Sequence, residues 1–120
     1  MDKAFCSAVL DALMSNIAVV DPEGTITYVN ESWVQFAREN GDPNLLSTGM
    51  GINYLSVCHN AVRDNPFLKD MVQSIEDVLA ARIPRFFCEY PCHSPDKKRW
   101  FLLGVRHLEI EPGGAVFFHL

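Results

Sequence analysis

Glu89-Tyr90-Pro91-Cys92-His93-Ser94-Pro95-Asp96-Lys97-Lys98-Arg99-Trp100-Phe101 is the stretch on which the fold turns. Phe86-Phe87 precede it and Leu102-Leu103 follow it, while its middle holds Ser94-Pro95-Asp96, residue types that end a strand and begin a reversal. It reads as one apolar strand, a polar turn and a second apolar strand. A third apolar run, Val116-Phe117-Phe118, follows the turn signal Glu111-Pro112-Gly113-Gly114. From Pro84 onward the pattern predicts strands near 85–92, 98–108 and 114–120.

These strands are apolar at consecutive positions instead of alternating, so both faces of their sheet carry hydrophobic side chains. One face can take the helices in the middle of the chain. The other needs a second cover, either the N-terminal helix or another copy of the protein. An uncovered aromatic of about 150–250 Å² forfeits roughly 4–6 kcal/mol as an upper bound. A lone monomer with that face bare is not expected.

Working back towards the N-terminus, Phe5, Val9, Ala12 and Leu13, with Ala8 and Leu10 beside them, recur at helical spacing over residues 3–15. Ile17-Ala18-Val19-Val20 is rich in β-branched residues and reads as a strand. Asp21-Pro22-Glu23-Gly24 suits a type I turn, and Thr25-Ile26-Thr27-Tyr28-Val29 returns as the second strand of a hairpin. Asn30 is placed to cap a helix whose Trp33, Phe36 and Ala37 share a face and which Asn40-Gly41 stops. Residues 42–60 are broken by Gly49 and Gly51, and predict one or two short helical turns around Tyr54, Leu55 and Val57. Asn65-Pro66 starts an amphipathic helix carrying Leu68, Met71, Val72, Ile75, Val78 and Leu79, ending near Arg82. Helix, two strands, several helices and three strands make an α+β domain with an antiparallel sheet.

A chain of 120 residues with 48% hydrophobic and 21% charged residues can bury a core without metal or disulfide staples. Its net charge of −5 argues against a nucleic-acid partner, whose phosphates demand Lys and Arg. The basic cluster Lys97-Lys98-Arg99 reads as a solvated hairpin tip. No apolar run approaches the roughly 18 residues of a membrane span, and the N-terminus lacks a secretory pattern. The expectation is a cytoplasmic domain without direct membrane contact, its four cysteines reduced.

Asp21, Gly24, Ile26 and Asn30 fit the pattern D-x-x-G-x-I-x-x-x-N, and Gly51-Ile52-Asn53 fits a later G-x-N. With the hairpin from Glu89 to Phe101 in the same order, residues 16–120 resemble a PAS domain of the bacterial sensory-box (PAC) type. The resemblance implies a five-stranded antiparallel sheet, helices packed on one face, and a pocket for a small molecule between them. Residues 1–15 would then be a cap or dimerisation helix contacting its surroundings through Phe5, Val9 and Leu13. Such modules usually sit upstream of a histidine kinase, a diguanylate cyclase, a chemoreceptor or a DNA-binding regulator. Family members commonly continue into Asp-Ile-Thr after the last strand, where Phe117-Phe118-His119-Leu120 stands here; the expectation is an input domain of a longer protein.

The resemblance also bears on cofactors. Flavin-binding members carry a reactive Cys after the Asn of the G-x-N motif, where this chain has Tyr54, so flavin–thiol photochemistry is not expected. Haem-binding members use a His on or near the long helix; residues 66–82 hold none, and His59 lies just ahead. Cys88, Cys92 and His93 are zinc-ligand types, but Cys88 and Cys92 on one strand stand about 13 Å apart, too far for one tetrahedral ion. No metal is expected. Glu109 and Glu111 read as a solvated rim on one strand face, and Gly49-Met50-Gly51 lacks the Gly-Lys-Ser/Thr of a phosphate loop.

Two classes of function remain. The first is a homodimeric sensory domain, itself not an enzyme, that binds a small ligand or relays a conformational change to an effector in the same chain. Trp33, Phe36, Tyr54, Met71 and Ile75 would line its pocket from the helices, and Phe86, Cys88, Leu102 and Phe117 from the sheet, unless these residues fill a solid core. The second is a small cysteine-dependent enzyme using Cys58, Cys92 or a nearby His, or a metal- or redox-responsive regulator.

Overall fold

The computed structural model describes residues 2–91 and 100–119. Helix α1 (Lys3–Ala12) is capped by Asp2, whose carboxylate accepts from the Phe5 amide at 2.7 Å. Strands β1 (Asn16–Val20) and β2 (Ile26–Val29) form the first hairpin. At its turn the Asp21 carboxylate accepts from the amides of Glu23 and Thr25, at 2.9 and 3.0 Å. Helices α2 (Glu31–Glu39), α3 (Tyr54–Asp64) and α4 (Lys69–Leu79) follow, with a 3₁₀ turn at Pro66–Leu68 before α4. Strands β3 (Arg85–Pro91), β4 (Trp100–His107) and β5 (Ala115–His119) complete an antiparallel five-stranded sheet in the order β2-β1-β5-β4-β3.

Two local expectations are corrected. Residues Tyr54–Asp64 form one 11-residue helix, α3, not one or two short turns. Asn53 caps it by accepting from the Ser56 amide at 2.9 Å, and its polar outer residues Ser56, His59, Asn60 and Arg63 thin out the apolar signal in the sequence. Strand β4 ends at His107, so Glu109 and Glu111 lie exposed in the loop before β5 and not on a strand face. The hairpin tip with Cys92, His93 and Lys97-Lys98-Arg99 lies outside the described residues.

Register decides what each face presents. Cys88 pairs with Leu103 and Leu103 with His119; Phe86 pairs with Val105 and Val105 with Phe117. These side chains face the helices, and all but His119 join Val20, Ile26, Val72, Ile75 and Val78 in the hydrophobic core. The alternate residues Phe87, Leu102, Gly104 and Phe118 look the other way, with the Phe118 ring seated directly over Gly104.

The N-terminal helix meets that outer face at Tyr28 of β2, whose hydroxyl donates to the Ser7 carbonyl at 3.5 Å and to the Asp11 carboxylate at 3.4 Å. None of its residues is buried: Phe5 is 53% and Val9 45% exposed, and the C-cap residue Leu13 is also 45% exposed. Further polar contacts hold α1 at the junction of β2 and α2. The Asn30 side chain donates to the carbonyls of Leu10 and Ser15, each at 2.9 Å, and the Asp11 carboxylate accepts from the Glu31 amide at 2.9 Å. On the outer face Phe87 stays 53% and Trp100 67% exposed.

Candidate functional site

A cavity of about 230 Å³ lies between α3, the 3₁₀ turn, α4 and the inner faces of β4 and β5. Tyr54, Val57, Cys58, Ala61, Asn65, Phe67, Leu68, Met71, Ile75, Leu103, Phe117 and His119 line it. A second hollow of about 240 Å³ shares Tyr54 and His119 with the first and is otherwise walled by Trp33, Phe36, Ala37, Asn40, Asp42 and Thr48. A groove of about 300 Å³ runs between α4 and the edge strand β3, past Phe67, Met71, Phe86, Phe87 and Cys88.

Each wall is positioned by a local device. Asn30 fixes the start of α2 by accepting from the Trp33 amide at 3.0 Å, and the Trp33 indole donates to the Thr48 carbonyl at 2.9 Å. The loop bearing Thr48 is wound around Asp42, whose carboxylate accepts from the Leu46 and Ser47 amides and the Thr48 hydroxyl. Burial raises the Asp42 carboxyl, but the hydrogen bonds from Thr48, Ser47 and Leu46 outweigh it and hold the group below its ordinary value. On the cavity side, Tyr54 meets Phe117 edge-on at 5.5 Å and Trp33 edge-on at 5.7 Å.

His119 stands at the centre of this aromatic wall. Its ring stacks on Trp33 at 5.8 Å with planes 7° apart, and Phe36 and Phe101 close in at 5.9 and 5.6 Å. Burial disfavours the imidazolium and pushes the His119 pKa from 6.5 down to about 4. Between those values the unfolded chain holds a proton that the folded chain excludes. Stability supplied by the neutral ring is complete above pH 6.5 and falls, by up to about 1.4 kcal/mol per unit, as pH drops towards 4. Urea unfolding of wild type and His119→Phe across that window checks this: the variant loses one proton's worth of slope, and equal slopes exclude the assignment.

The residues singled out in the sequence divide among these spaces. Tyr54, Met71, Ile75 and Phe117 line the 230 Å³ cavity, Trp33 and Phe36 the neighbouring hollow, and Phe86 and Cys88 the groove beside α4. Leu102 lines none of them, because it pairs with Glu89 on the outer face; Leu103 takes the inner position. Sequence reading weighed Cys58 as a nucleophile but not as a cavity residue, and did not single out Ala61, Phe67 or His119; all four line the cavity. A signal for His119 existed, since it lies two residues beyond Phe117 on the same strand and therefore on the same face.

The cysteine chemistry points away from nucleophilic use. Burial pushes the Cys58 thiol up to about 12 and raises the Cys88 thiol as well, the opposite of an activated thiolate. Cys92 lies outside the described residues. His59 is half exposed on α3, where it pairs with Glu76 of α4 at 2.6 Å and does not line the cavity.

No protein-family model matches the chain. Among curated proteins it is 42% identical, over 115 residues, to the uncharacterized 104.1 kDa protein in the hypE 3′ region of Rhodobacter capsulatus. That match takes in 94% of this chain and 12% of the relative, so the chain spans about an eighth of that protein's length. Among solved structures it resembles the PAS domain of a Colwellia psychrerythraea protein, with TM-score 0.62, 14% identity, and 98% and 93% of the two chains covered. The photoactive yellow protein domain of the sensor histidine kinase Ppr from Rhodospirillum centenum matches with TM-score 0.62, 14% identity and 93% and 90% coverage. The PAS domain of Bordetella pertussis BvgS matches at 0.58, with 13% identity and 97% and 82% coverage. Strand order, helices on one face and a cavity between them define one architecture. This chain has the fold of a PAS domain.

Proposed function

We propose that this PAS-fold domain is a non-catalytic sensory input module of a longer, cytoplasmic signalling protein, acting as a homodimer and responding to a small molecule between sheet and helices. Residues 1–15 serve as the dimerisation helix, and the effector lies elsewhere in the same chain. Neighbours drawn from sensor histidine kinases favour a kinase-type output over a diguanylate cyclase or a transcriptional regulator. A ligand acts by binding one arrangement of sheet and terminal helix better than another, since it shifts an equilibrium only by its differential affinity.

The observation that carries the dimer is the apolar surface left open in one protomer. Phe5 and Val9 on α1 and Leu13 at its C-cap follow one another at four-residue spacing, and Phe87 and Trp100 stand exposed on the outer sheet face. A second copy is the cover of matching chemistry. Sedimentation of the wild type is expected to show a dimer at micromolar concentration. Val9→Asp and Leu13→Asp place a carboxylate in the contact and weaken it more than about tenfold while leaving the fold intact. A wild type that sediments as a monomer at high concentration rules the dimer out.

A further inference from the structure

The 230 Å³ cavity carries information about the chemistry of its occupant, and the inference drawn from it rests on the reading of the domain as a ligand-responsive sensor. We propose that the cavity takes an uncharged, planar aromatic or heteroaromatic molecule, one substituted ring or two small fused rings, which enters past Phe67.

Size sets the first limit. A dry cavity of about 150 Å³ accommodates benzene. A space of about 230 Å³ is half as large again, which allows roughly nine non-hydrogen atoms. That is the size of a cresol or of an indole-like bicycle. Charge sets the second limit. Among the described residues no Asp, Glu, Lys or Arg lines the cavity. Its polar groups are the neutral ones of Tyr54, Asn65 and His119, and burial keeps the imidazole of His119 uncharged near neutrality. A carboxylate or ammonium group would give up its water and meet no opposite charge.

The third limit is shape. Tyr54 and Phe117 present rings at 83° to one another, and Cys58 and Met71 add polarizable sulfur. Aromatic edges and sulfur favour a π-face over a flexible aliphatic chain. Phe67 marks the mouth: it sits on the 3₁₀ turn, is 62% exposed, and lines both the cavity and the adjoining outer groove.

Titration of the purified domain at pH 7, followed by calorimetry and by the methyl signals of Met71 and Ile75, tests this directly. The probes are p-cresol and quinoline, both uncharged, against 4-methylbenzoate and 4-methylbenzylamine. The uncharged pair is expected to bind and to move the Met71 and Ile75 signals, with the charged pair about a hundredfold weaker or more. Ala61→Phe, which puts a ring into the cavity from α3, abolishes binding; should it not fold, the longer and more flexible Ala61→Met serves instead. Phe67→Ala, which widens the mouth, is expected to speed both association and dissociation. Binding of 4-methylbenzoate as tight as that of p-cresol, undiminished binding by a folded Ala61 variant, or no binding of either uncharged probe each overturns the proposal. If quinoline binds but the dimerisation constant stays the same, the ligand class stands and the sensory reading fails. If neither uncharged probe binds while the dimer forms as expected, the ligand class fails and the sensory reading survives.

Discussion

Replacing Asn30 by alanine is expected to lower the unfolding free energy by roughly 3–5 kcal/mol, through loss of a helix cap and the stranding of buried backbone groups. Asn30 has no exposed surface and uses both ends of its side chain. Its carbonyl oxygen accepts from the Ile17 amide at 2.9 Å and the Trp33 amide at 3.0 Å, joining the edge of β1 to the first turn of α2. Its amide nitrogen donates to the carbonyls of Leu10 and Ser15, which holds the end of α1 against the same junction. Alanine keeps the helix but leaves four groups to find water in a closed site. Asn30→Asp retains the two acceptor contacts and turns an oxygen towards the Leu10 and Ser15 carbonyls, so it too destabilises. Urea unfolding monitored by tryptophan fluorescence measures both. A loss below about 1 kcal/mol for Asn30→Ala would mean that water replaces the side chain at little cost.

Gly114→Ala is the second large effect, at roughly 3–4 kcal/mol, because a strained backbone and a steric collision act together. Gly114 has φ +100°, and a Cβ there would run into the carbonyl oxygen of Val20 and stand 3.1 Å from the Asp21 backbone. Neither atom can retreat, since Val20 pairs with Ala115 in the middle of the sheet. Gly41 provides the control. Its φ is +99°, yet nothing lies within 4 Å of its missing Cβ. Gly41→Ala therefore meets the conformational cost alone, about 1 kcal/mol. The difference between the two variants isolates the collision. If Gly114→Ala falls within experimental error of Gly41→Ala, the close approach of β5 to β1 is not as tight as described.

Much of the fold was legible because it is written in short-range chemistry. Asp21 and Gly24 announce the first turn, Asn30 the start of α2, Asn65-Pro66 the approach to α4, and each acts within a few residues of itself. The cavity was legible only in part. Tyr54, Met71, Ile75 and Phe117 were found because a helix stripe or an aromatic in a strand marks an inward position. Leu102 was chosen over Leu103 because β4 is apolar at both, and a strand without alternation does not say which side is in. A shift of one residue sends every side chain to the opposite face, and the pairing with β3 and β5 alone settles it.

By itself the amino-acid order determined most of the element types, the α+β class, and the caps and turns at Asp21, Asn30 and Asn65. Tertiary structure alone decided three things. It brought His119 from the last strand against Trp33 of the second helix, 86 positions earlier in the chain. It left a space between Cys58, Met71 and Phe117. It also tied α1 to Asn30 and Glu31 by polar contacts that turn its apolar stripe outward. Each depends on groups distant in sequence meeting at a fixed distance and angle, and periodicity along the chain carries no information about either.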